Sequence, residues 1–373
     1  MINEEVFPGS FVAAQEGFRA GLAAVRRYYP AAELGRFPLP YAPEEAIEWL
    51  TAVPPSPQRL FILTTGLHGV EGYVGAALMQ LFLSEFLPGL DHETTGLLLV
   101  QPLNPWGMAR RRRVNGNNVD LNRNFFLPED PAAYDPAINP DYRRLDGLLN
   151  PKRPLRSLAQ AQRDFSLGLA VTLPRLGAEG IRAGTLLGQY WQPQGLYFGG
   201  LEPQPEALWL ARMLREQFAR YRQILLIDVH TGYGPRYQMS LVNSPRERET
   251  AVALSRRFNY PLVVSAVPGE FYAIRGDMVD FAYQLAAAEF PDRQLYATAF
   301  EFGTLGDSFS AGLQSLQALI QENQVYWQGG KEGVKTAVWE RFDALFDPTS
   351  ALWRDKAVGD GRQAFQGILA APF

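Results

Sequence analysis

One run of apolar residues limits the possible folds of this chain more than any other feature. It extends from Ile224 to Val229, is interrupted only by Asp228, and ends at His230. A continuous apolar run of this length, followed by turn-forming residues, is typical of a strand buried on both faces of a parallel sheet. Ligands of open α/β sheets bind at the carboxyl ends of the strands, because the loops diverge there and leave a crevice. His230 is therefore predicted to lie at a ligand-binding edge.

A second stretch has the pattern of strand, loop and helix. The short run Phe61–Thr65 is apolar and β-prone, Gly66 interrupts it, and apolar residues return with helical spacing from 73 to 86. His68 and Glu71 lie between the two predicted elements. Because they are three residues apart, their side chains lie on one face of a helical turn and can reach one cation.

Two histidines and a glutamate form the ligand set of a catalytic zinc, which leaves the fourth position for water. His68, Glu71 and His230 provide such a set. The alternative is a solvated pair, since a histidine and a glutamate three apart are common by chance. The chain has only three histidines, and two of them follow predicted strands in glycine-flanked loops. The third, His92, lies in the polar turn 91–95 and is predicted to be a surface residue.

Composition sets broad limits on the class of protein. With 373 residues, 47% of them hydrophobic and 20% charged, the chain is long enough for a large core in one large domain or two small ones. A net charge of −4 gives no reason to expect nucleic acid or an anionic membrane as partner. The absence of cysteine excludes disulfides and thiolate ligands. Because we find neither a secretory signal nor a membrane-length run, we expect a soluble cytoplasmic enzyme.

The remaining pattern alternates between strands and helices and predicts a mixed α/β sheet with helices on both faces. In the first sixty residues we expect a helix, an extended stretch around 37–40, a second helix at Pro43–Leu50 and a proline-rich linker. The other predicted elements are a strand at 97–100, an amphipathic helix at 205–221, a strand at 295–304, and helices at about 310–327 and 333–346.

Four consecutive arginines, Arg110 to Arg113, open a loop rich in asparagine and glycine. A solvated basic loop is one interpretation, because runs of charge are usually exposed to water. Recognition of an anion is the other, since planar guanidinium groups bind carboxylates through two hydrogen bonds. The position of the loop, beside the predicted metal crevice, favours anion recognition.

Seven short motifs occur in a characteristic order along the chain. They are HGVEG (68–72), NPWG (104–107), RVNGNNVDLNRNF (113–125), LYFGGLEPQPE (196–206), DVHTG (228–232), DFAY (280–283) and FEFGT (300–304). Together they resemble the zinc carboxypeptidases of the carboxypeptidase A type, the M14 metallopeptidases, and are closest to an uncharacterised bacterial branch known only as a domain of unknown function. The resemblance implies a single catalytic domain over 1–373, with a mixed, mostly parallel, twisted sheet of the phosphorylase/hydrolase-like type and one Zn²⁺ per chain.

The resemblance also implies roles for individual residues. The family's zinc ligands fall on His68, Glu71 and His230, as in the interpretation above. The pair that holds the substrate's terminal carboxylate falls on Asn122 and Arg123. The arginine that polarises the scissile carbonyl and holds the oxyanion falls on Arg113, with Arg112 as the alternative. Nitrogen and oxygen ligands do not by themselves exclude manganese, iron or cobalt.

The family's general base falls on Glu301, near the end of the β-prone run 295–304. The competing interpretation is that Glu301 is half of a buried ion pair. The resemblance implies that it deprotonates water and passes the proton to the leaving amine. The mobile tyrosine that covers the substrate falls on Tyr283, with Tyr272 and Tyr233 as alternatives, although aromatic residues in such loops more often serve packing.

The segment 129–190 has no counterpart in the digestive enzymes of the family and is predicted to be an insertion. Its opening, 128–154, is rich in proline and is predicted to be a loop, and a helix is expected from 158 onward. Insertions carried by loops commonly shape or cover a cleft, and we expect the same here.

Three functions remain open. The first is a zinc-dependent hydrolase that cleaves an amide next to a free carboxylate, which would be a metallocarboxypeptidase acting on peptides. The second is an N-acyl amino acid deacylase of the aspartoacylase type, since Asn122 and Arg123 suit both substrates. The third is a binding protein without catalytic activity on the same scaffold. Side-chain specificity and oligomeric state are not fixed by the sequence.

Overall fold

The computed structural model describes residues 6–267 and 274–371. Eight strands form one sheet in the order β1-β2-β4-β3-β5-β8-β6-β7. The strands are β1 (Glu33–Leu39), β2 (Ala42–Ala52), β3 (Arg59–Thr65), β4 (Thr95–Val100), β5 (Gln223–Gly232), β6 (Met239–Asn243), β7 (Val263–Ser265) and β8 (Gln294–Gly303).

The central strands run in one direction. β4, β3, β5 and β8 are adjacent and parallel, so their carboxyl ends meet at one edge of the sheet. The flanking strands β2 and β6 pair antiparallel with β4 and β8, which makes the sheet mixed. The predicted mixed, mostly parallel sheet is thereby confirmed.

Helices cover both faces of this sheet. Phe18, Leu78 and Phe365 belong to the core on one face, and Leu210 and Phe281 belong to the core on the other. The helices are α1 (Phe11–Arg26), α2 (Gly72–Leu81), α3 (Pro105–Ala109), α4 (Pro140–Leu149), α5 (Leu158–Leu186), α6 (Pro205–Arg220), α7 (Ala251–Phe258), α8 (Met278–Glu289), α9 (Phe309–Gln328), α10 (Glu332–Phe346) and α11 (Ala351–Ala370).

Strand β3 illustrates why the central strands are continuously apolar. Side chains alternate between the faces of a strand, so Phe61 and Leu63 pack beneath α2 and α11 while Leu60 and Ile62 pack beneath α6 and α8. All four are at most 1% exposed. Burial of each such side chain is worth about 1.5–3 kcal/mol, which favours a strand held between two helical layers.

The predicted helix at Pro43–Leu50 is wrong, because this segment is part of β2. Local helix propensity is a weak guide where tertiary pairing is available. Residues 49–52 of β2 pair with β4, and the strand also pairs with β1. Ala46 and Ile47 are completely buried in the sheet, so pairing and burial decide the conformation.

The prediction that 128–154 is entirely loop is also wrong, because it contains α4. The helix begins with a recognisable signal, Asn139 followed by Pro140. The Asn139 side chain accepts a hydrogen bond from the Tyr142 backbone N–H at 3.1 Å, and proline is favoured in the first helical turn. The proline-rich composition masked this cap.

Helices α4, α5, α9 and α10 share a separate core. Tyr142, Leu145, Phe165 and Phe342 are among its buried members. Within α5 the helical backbone is broken at Gly177, whose φ is +67°. That 129–190 is an insertion, and that the chain is a single domain, stay predictions. None of the helices in the described ranges is long and apolar enough to cross a membrane.

Candidate metal centre

A tight loop after β3 positions His68 and Glu71. Gly66 turns the chain with a φ of +67°, and residues 69–71 form one turn of 3₁₀ helix. The Gly69 N–H donates to the Arg113 carbonyl oxygen at 3.2 Å. A Cβ atom at position 69 would lie 2.1 Å from the carbonyl carbon of Gly107, so only glycine permits this close approach. The loop is therefore fixed against the segment that carries the arginines.

Parallel pairing brings His230 to the same edge. β5 lies between β3 and β8, with Thr65 opposite Val229 and His230 opposite Glu301. Because the three strands are parallel and in register, the residues that follow β3 meet the ends of β5 and β8.

The three predicted ligands lie together. Glu71 Oε1 is 2.8 Å from His68 Nδ1, and Glu71 Oε2 is 3.2 Å from His230 Nδ1. One ligand atom from each residue lies within 4.8 Å of the others, and all three side chains are buried. The backbone N–H of Thr231 also donates to Glu71 Oε2, at 3.0 Å.

The outer nitrogens of both histidines face carboxylates. His68 Nε2 is 3.1 Å from Asp120 Oδ1, and His230 Nε2 is 2.6 Å from Asp228 Oδ2. A histidine that ligates a metal usually donates its second ring N–H to a carboxylate, which fixes the tautomer. Here that arrangement directs both Nδ1 atoms toward Glu71. The donor set therefore fits a divalent ion that accepts nitrogen and oxygen ligands.

Asp120 connects the centre to the arginine-rich loop, although the motif that contains it predicts no separate role for this residue. It is fully buried, and its Oδ2 accepts hydrogen bonds from both Arg113 and Arg123. Burial alone would raise the pKa of Asp120, but the two guanidinium groups hold it well below its usual range. The signal that could have identified it is the single carboxylate in the motif NVDLNR.

Electrostatics keep the centre charged. Burial opposes ionisation of Glu71, yet the neighbouring His68 and His230 lower its pKa to about 2. Burial would likewise lower the pKa of His230, and the charge of Asp228 reverses this and raises it. Asp228 is the one charged residue in the apolar run of β5. This charge within an apolar run is the only sequence feature from which a role for Asp228 could have been predicted.

Glu301 faces the same space as His230. Both line a cavity of about 90 Å³ together with Asn122. Glu301 Oε1 accepts a hydrogen bond from the backbone N–H of Tyr233 at 3.1 Å. Burial raises the pKa of Glu301 to about 8, and the charge of His230 opposes part of that shift.

The two candidate arginines for the oxyanion have different surroundings. Arg113 donates to Asp120, which in turn contacts His68. Arg112 instead donates through Nε to Glu322 Oε1 at 2.7 Å, and its guanidinium carbon lies 3.5 Å from the centre of the Tyr326 ring. The structure brings Arg113, and not Arg112, to the centre.

The predicted carboxylate-binding pair is engaged with protein groups. The Asn122 side chain donates to Asp277 at 3.0 Å and accepts from the Met278 N–H at 3.0 Å. Besides Asp120, Arg123 donates to the Leu186 carbonyl oxygen at 2.8 Å and is 1% exposed. Its Nε is buried and has no hydrogen-bond partner in the described part of the chain. Carboxylate binding by this pair stays a prediction.

Of the tyrosines, the structure brings Tyr233 beside Glu301 and leaves Tyr283 apart. The Tyr283 hydroxyl donates to Glu247 and accepts from the backbone N–H of Ala297, in the middle of β8. Tyr272 lies outside the described residues. The Tyr233 hydroxyl accepts a hydrogen bond from Arg182 of α5 at 2.9 Å.

His92 lies apart from the centre. It is half-buried rather than fully exposed, and its Nε2 is 2.8 Å from the Leu87 carbonyl oxygen. Its ring stacks on Tyr28 with 4.4 Å between the centroids.

Comparison with known proteins gives one family match. Residues 29–360 match the family described as "Protein of unknown function (DUF2817)". No curated protein matches the chain.

Several solved structures are similar over most of the chain. Bovine thrombin-activatable fibrinolysis inhibitor is 14% identical, with 88% of this chain and 97% of that chain covered and a TM-score of 0.45. Carboxypeptidase A from Helicoverpa armigera is 13% identical, with coverage of 88% and 73% and a TM-score of 0.45. Murein-tripeptide amidase from Escherichia coli O157 is 18% identical, with coverage of 80% and 94% and a TM-score of 0.37. At this level of similarity no function follows from them.

Proposed function

The chain belongs to the DUF2817 family, and we propose that it is a zinc-dependent hydrolase of amide bonds, acting on peptides with a free carboxylate. The observation that carries the proposal is the convergence of His68, Glu71 and His230 within 4.8 Å, with Glu301 on the adjacent strand. Two outer carboxylates, Asp120 and Asp228, support the histidines. Burial of such a cluster of charge is costly unless the charges are paired or coordinate a metal.

The metal would be held by His68 Nδ1, His230 Nδ1 and the Glu71 carboxylate. Zinc in such a site acts as a Lewis acid on a carbonyl group and lowers the pKa of water towards about 7. Asp120 and Asp228 would accept the Nε2–H of their histidines and keep the rings in the orientation that ligation needs.

Glu301 has the position and the environment of a general base. It lines the same cavity as His230, and a carboxylate in that position can accept a proton from water and release it again. In the proposed reaction it takes a proton from the attacking water and gives it to the leaving amine. The backbone N–H of Tyr233 holds one of its oxygens in place.

Arg113 would hold the negative charge that develops on the scissile carbonyl oxygen. Its side chain is 16% exposed, and its ion pair with the buried Asp120 orients it. A guanidinium group that is already held in place needs little reorganisation when the negative charge develops during the reaction. Arg112 is committed to Glu322 and is the weaker candidate.

Asn122 and Arg123 are the proposed binding pair for the substrate carboxylate. Asn122 lines the cavity beside His230. The side chain of Arg123 donates to Asp120 and to the Leu186 carbonyl oxygen, so it would have to exchange one of these partners for the substrate. For the covering tyrosine we propose Tyr233, which adjoins Glu301, in place of Tyr283.

A second candidate is an N-acyl amino acid deacylase. The cavity beside His230 and Glu301 has a volume of only about 90 Å³, whereas pockets for drug-sized ligands hold roughly 300–1,000 Å³. A small acyl group could be enclosed in such a space, whereas an extended peptide would place only its end there.

The test is a hydrolysis screen on zinc-loaded protein. The substrates are peptides with a free C-terminus, the same peptides with an amidated C-terminus, and a series of N-acyl amino acids. We expect hydrolysis of the free peptides only, and activity on the acyl amino acids alone would replace the peptidase proposal by the deacylase. Glu301→Gln should lower turnover by about two to four powers of ten while zinc content stays at one per chain. The control is Glu340→Gln, at an exposed glutamate. Full turnover in Glu301→Gln would refute the role of Glu301.

A further inference from the structure

A second cavity lies between α4, α5 and α9. Its volume is about 880 Å³, which is within the range of small-molecule pockets. Among the described residues, its lining shares no member with that of the small cavity at the metal centre. Much of its wall comes from α5, in the segment 129–190 that the proposed hydrolase chemistry leaves largely unexplained.

The floor of this cavity is apolar. Leu148, Phe165 and Ile320 line it and belong to the core shared by the helices. At the wall, Leu167 and Val171 remain 67% and 55% exposed. Apolar side chains that border a concave apolar surface mark a binding site more often than isolated exposed ones do. An aliphatic group would cover both the floor and this wall.

The polar residues of the lining carry a net positive charge. Three arginines, Arg144, Arg153 and Arg175, line the cavity with one carboxylate, Asp164. Asp164 pairs with Arg153 at 2.6 Å, and Arg144 pairs with Asp141 at 2.8 Å. Arg175 has no hydrogen-bond or ion-pair partner among the residues that the structure describes. Its guanidinium group is therefore available to an anion.

A buried donor in the lining also lacks a partner. Gln321 is 3% exposed, and its Nε2 has no hydrogen-bond partner within the described ranges. A buried donor without an acceptor costs about 1–3 kcal/mol. The neighbouring Gln324, one turn along α9, donates to the Arg153 carbonyl oxygen at 2.8 Å. Gln321 lines the cavity, but its Nε2 is covered by other atoms, so the side chain would have to rotate before it could donate to a ligand oxygen.

We propose that this cavity binds an amphiphilic monoanion, a medium-chain aliphatic carboxylate or a compound with the same two parts. The chain would lie on Leu148, Phe165 and Ile320, and the carboxylate would lie toward Arg175. The assignment follows from charge complementarity and from the apolar floor, and it is independent of the hydrolase proposal.

The experiment is calorimetric titration of the full chain with octanoate, 1-octanol and acetate as separate probes. We expect octanoate to bind at one site per chain. Octanol lacks the charge and acetate lacks the chain, so each should bind at least about tenfold more weakly. No saturable heat with octanoate, or equal binding of octanoate and octanol, would overturn the proposal.

Two variants locate the site. Gly147 lines the cavity, and a Cβ atom there would meet no heavy atom within 4 Å in the described structure. Gly147→Leu should therefore occupy part of the cavity and weaken octanoate binding. Arg175→Gln should weaken octanoate about tenfold and leave octanol unchanged. The matched control is Arg163→Gln, an exposed arginine of α5 outside the cavity lining.

Thermal unfolding and zinc content verify that each variant is folded. If Gly147→Leu does not fold, Arg175→Gln decides alone, since Arg175 is exposed and its replacement leaves the buried core unchanged. Octanoate affinity that is unchanged in both variants, or that Arg163→Gln lowers as much as Arg175→Gln does, would place the ligand elsewhere. A concentration-dependent dimer by light scattering, without octanoate heat, would overturn the proposal and favour a second copy of the chain as the occupant of the cavity.

Discussion

The Nε2 atom of His230 lies 2.6 Å from Oδ2 of Asp228, two residues earlier on the same strand. In a regular strand, the side chains of residues i and i+2 point to the same face. The Asp228 carboxylate is therefore a fixed neighbour of the His230 ring on one face of β5. The other oxygen of Asp228 accepts a hydrogen bond from the Thr64 hydroxyl of β3 at 2.6 Å. The orientation of the His230 ring therefore depends on two strands.

Asp228→Asn should weaken zinc binding by about 10- to 100-fold, because the outer carboxylate sets the tautomer and the basicity of the ligand. Competition against a chromophoric chelator measures this affinity. Asp355→Asn, at an exposed position, is the control. Equal affinity in wild type and Asp228→Asn would show that this carboxylate does not support a metal ligand.

His68→Ala should remove bound zinc, whereas His92→Ala should retain it. Both variants lose one histidine, but only His68 lies in the cluster with Glu71 and His230. Elemental analysis of protein purified without added metal gives the stoichiometry, for which we expect one zinc per chain in wild type. Full metal content in His68→Ala would exclude it as a ligand.

Arg113→Ala should lower turnover by about two to three powers of ten, since a fixed donor to the developing oxyanion is lost. Zinc content should be unchanged, because Arg113 is not a ligand. Steady-state kinetics on the substrate found in the screen provides the measurement. Unimpaired turnover would assign Arg113 to the support of Asp120 only.

Arg112→Ala should act on stability instead. Arg112 and Glu322 form an ion pair in which both side chains are at most 5% exposed. Removal of one partner of a buried pair costs about 3–5 kcal/mol, because it leaves the other charge uncompensated. Denaturant unfolding measures this loss, and turnover per folded molecule should remain that of wild type. A large fall in turnover without loss of stability would reverse the roles of the two arginines.

Asp343→Asn should stabilise the protein at neutral pH. Burial raises the pKa of Asp343 from 3.8 to about 6, although Arg111 opposes part of the shift. The folded state therefore binds more protons than the unfolded state, and the stability that this carboxyl contributes is present below about pH 4 and is lost as the pH rises through about 6. Asparagine resembles the neutral acid at every pH.

The side chain of Asp343 is 30% exposed, and solvent therefore weakens the effect of its charge. The free energy of unfolding of Asp343→Asn should exceed that of wild type by about 1–2 kcal/mol at about pH 8 and by close to zero at about pH 4. Urea unfolding at the two values measures the difference between variant and wild type. Asp355→Asn again serves as the control. A gain in stability of the same size at both pH values would mean that it does not come from the ionisation of Asp343.

The central strands and the ligand triad could be predicted because their signals are local. β3 and β5 each contain an apolar run, interrupted in β5 only by Asp228. His68 and Glu71 follow the first run, and His230 follows the second. Parallel strands end at a common edge, so the contact between segments 160 residues apart follows from the pattern of each strand.

The wrong predictions concern segments whose conformation or pairing is determined by residues distant in the sequence. Pro43–Leu50 is strand because the segment pairs with β1, and from Trp49 onward it also pairs with β4. Arg112 and Arg113 are adjacent in the sequence, yet a helix two hundred residues later pairs with the first while Asp120 pairs with the second.

The sequence by itself determined the class of sheet, the edge that carries the site and the residues that can hold a metal. The tertiary structure alone decided which of two adjacent arginines faces the centre, that Asp120 joins His68 to Arg113 and Arg123, and that Arg175 and Gln321 border a common cavity. The spacing of apolar residues along a helix or strand predicts which of its faces is buried, because the free energy of burial depends on residue type. The hydrogen-bond partner of a polar group depends on the distance and angle between donor and acceptor. This geometry is defined only once the chain has folded.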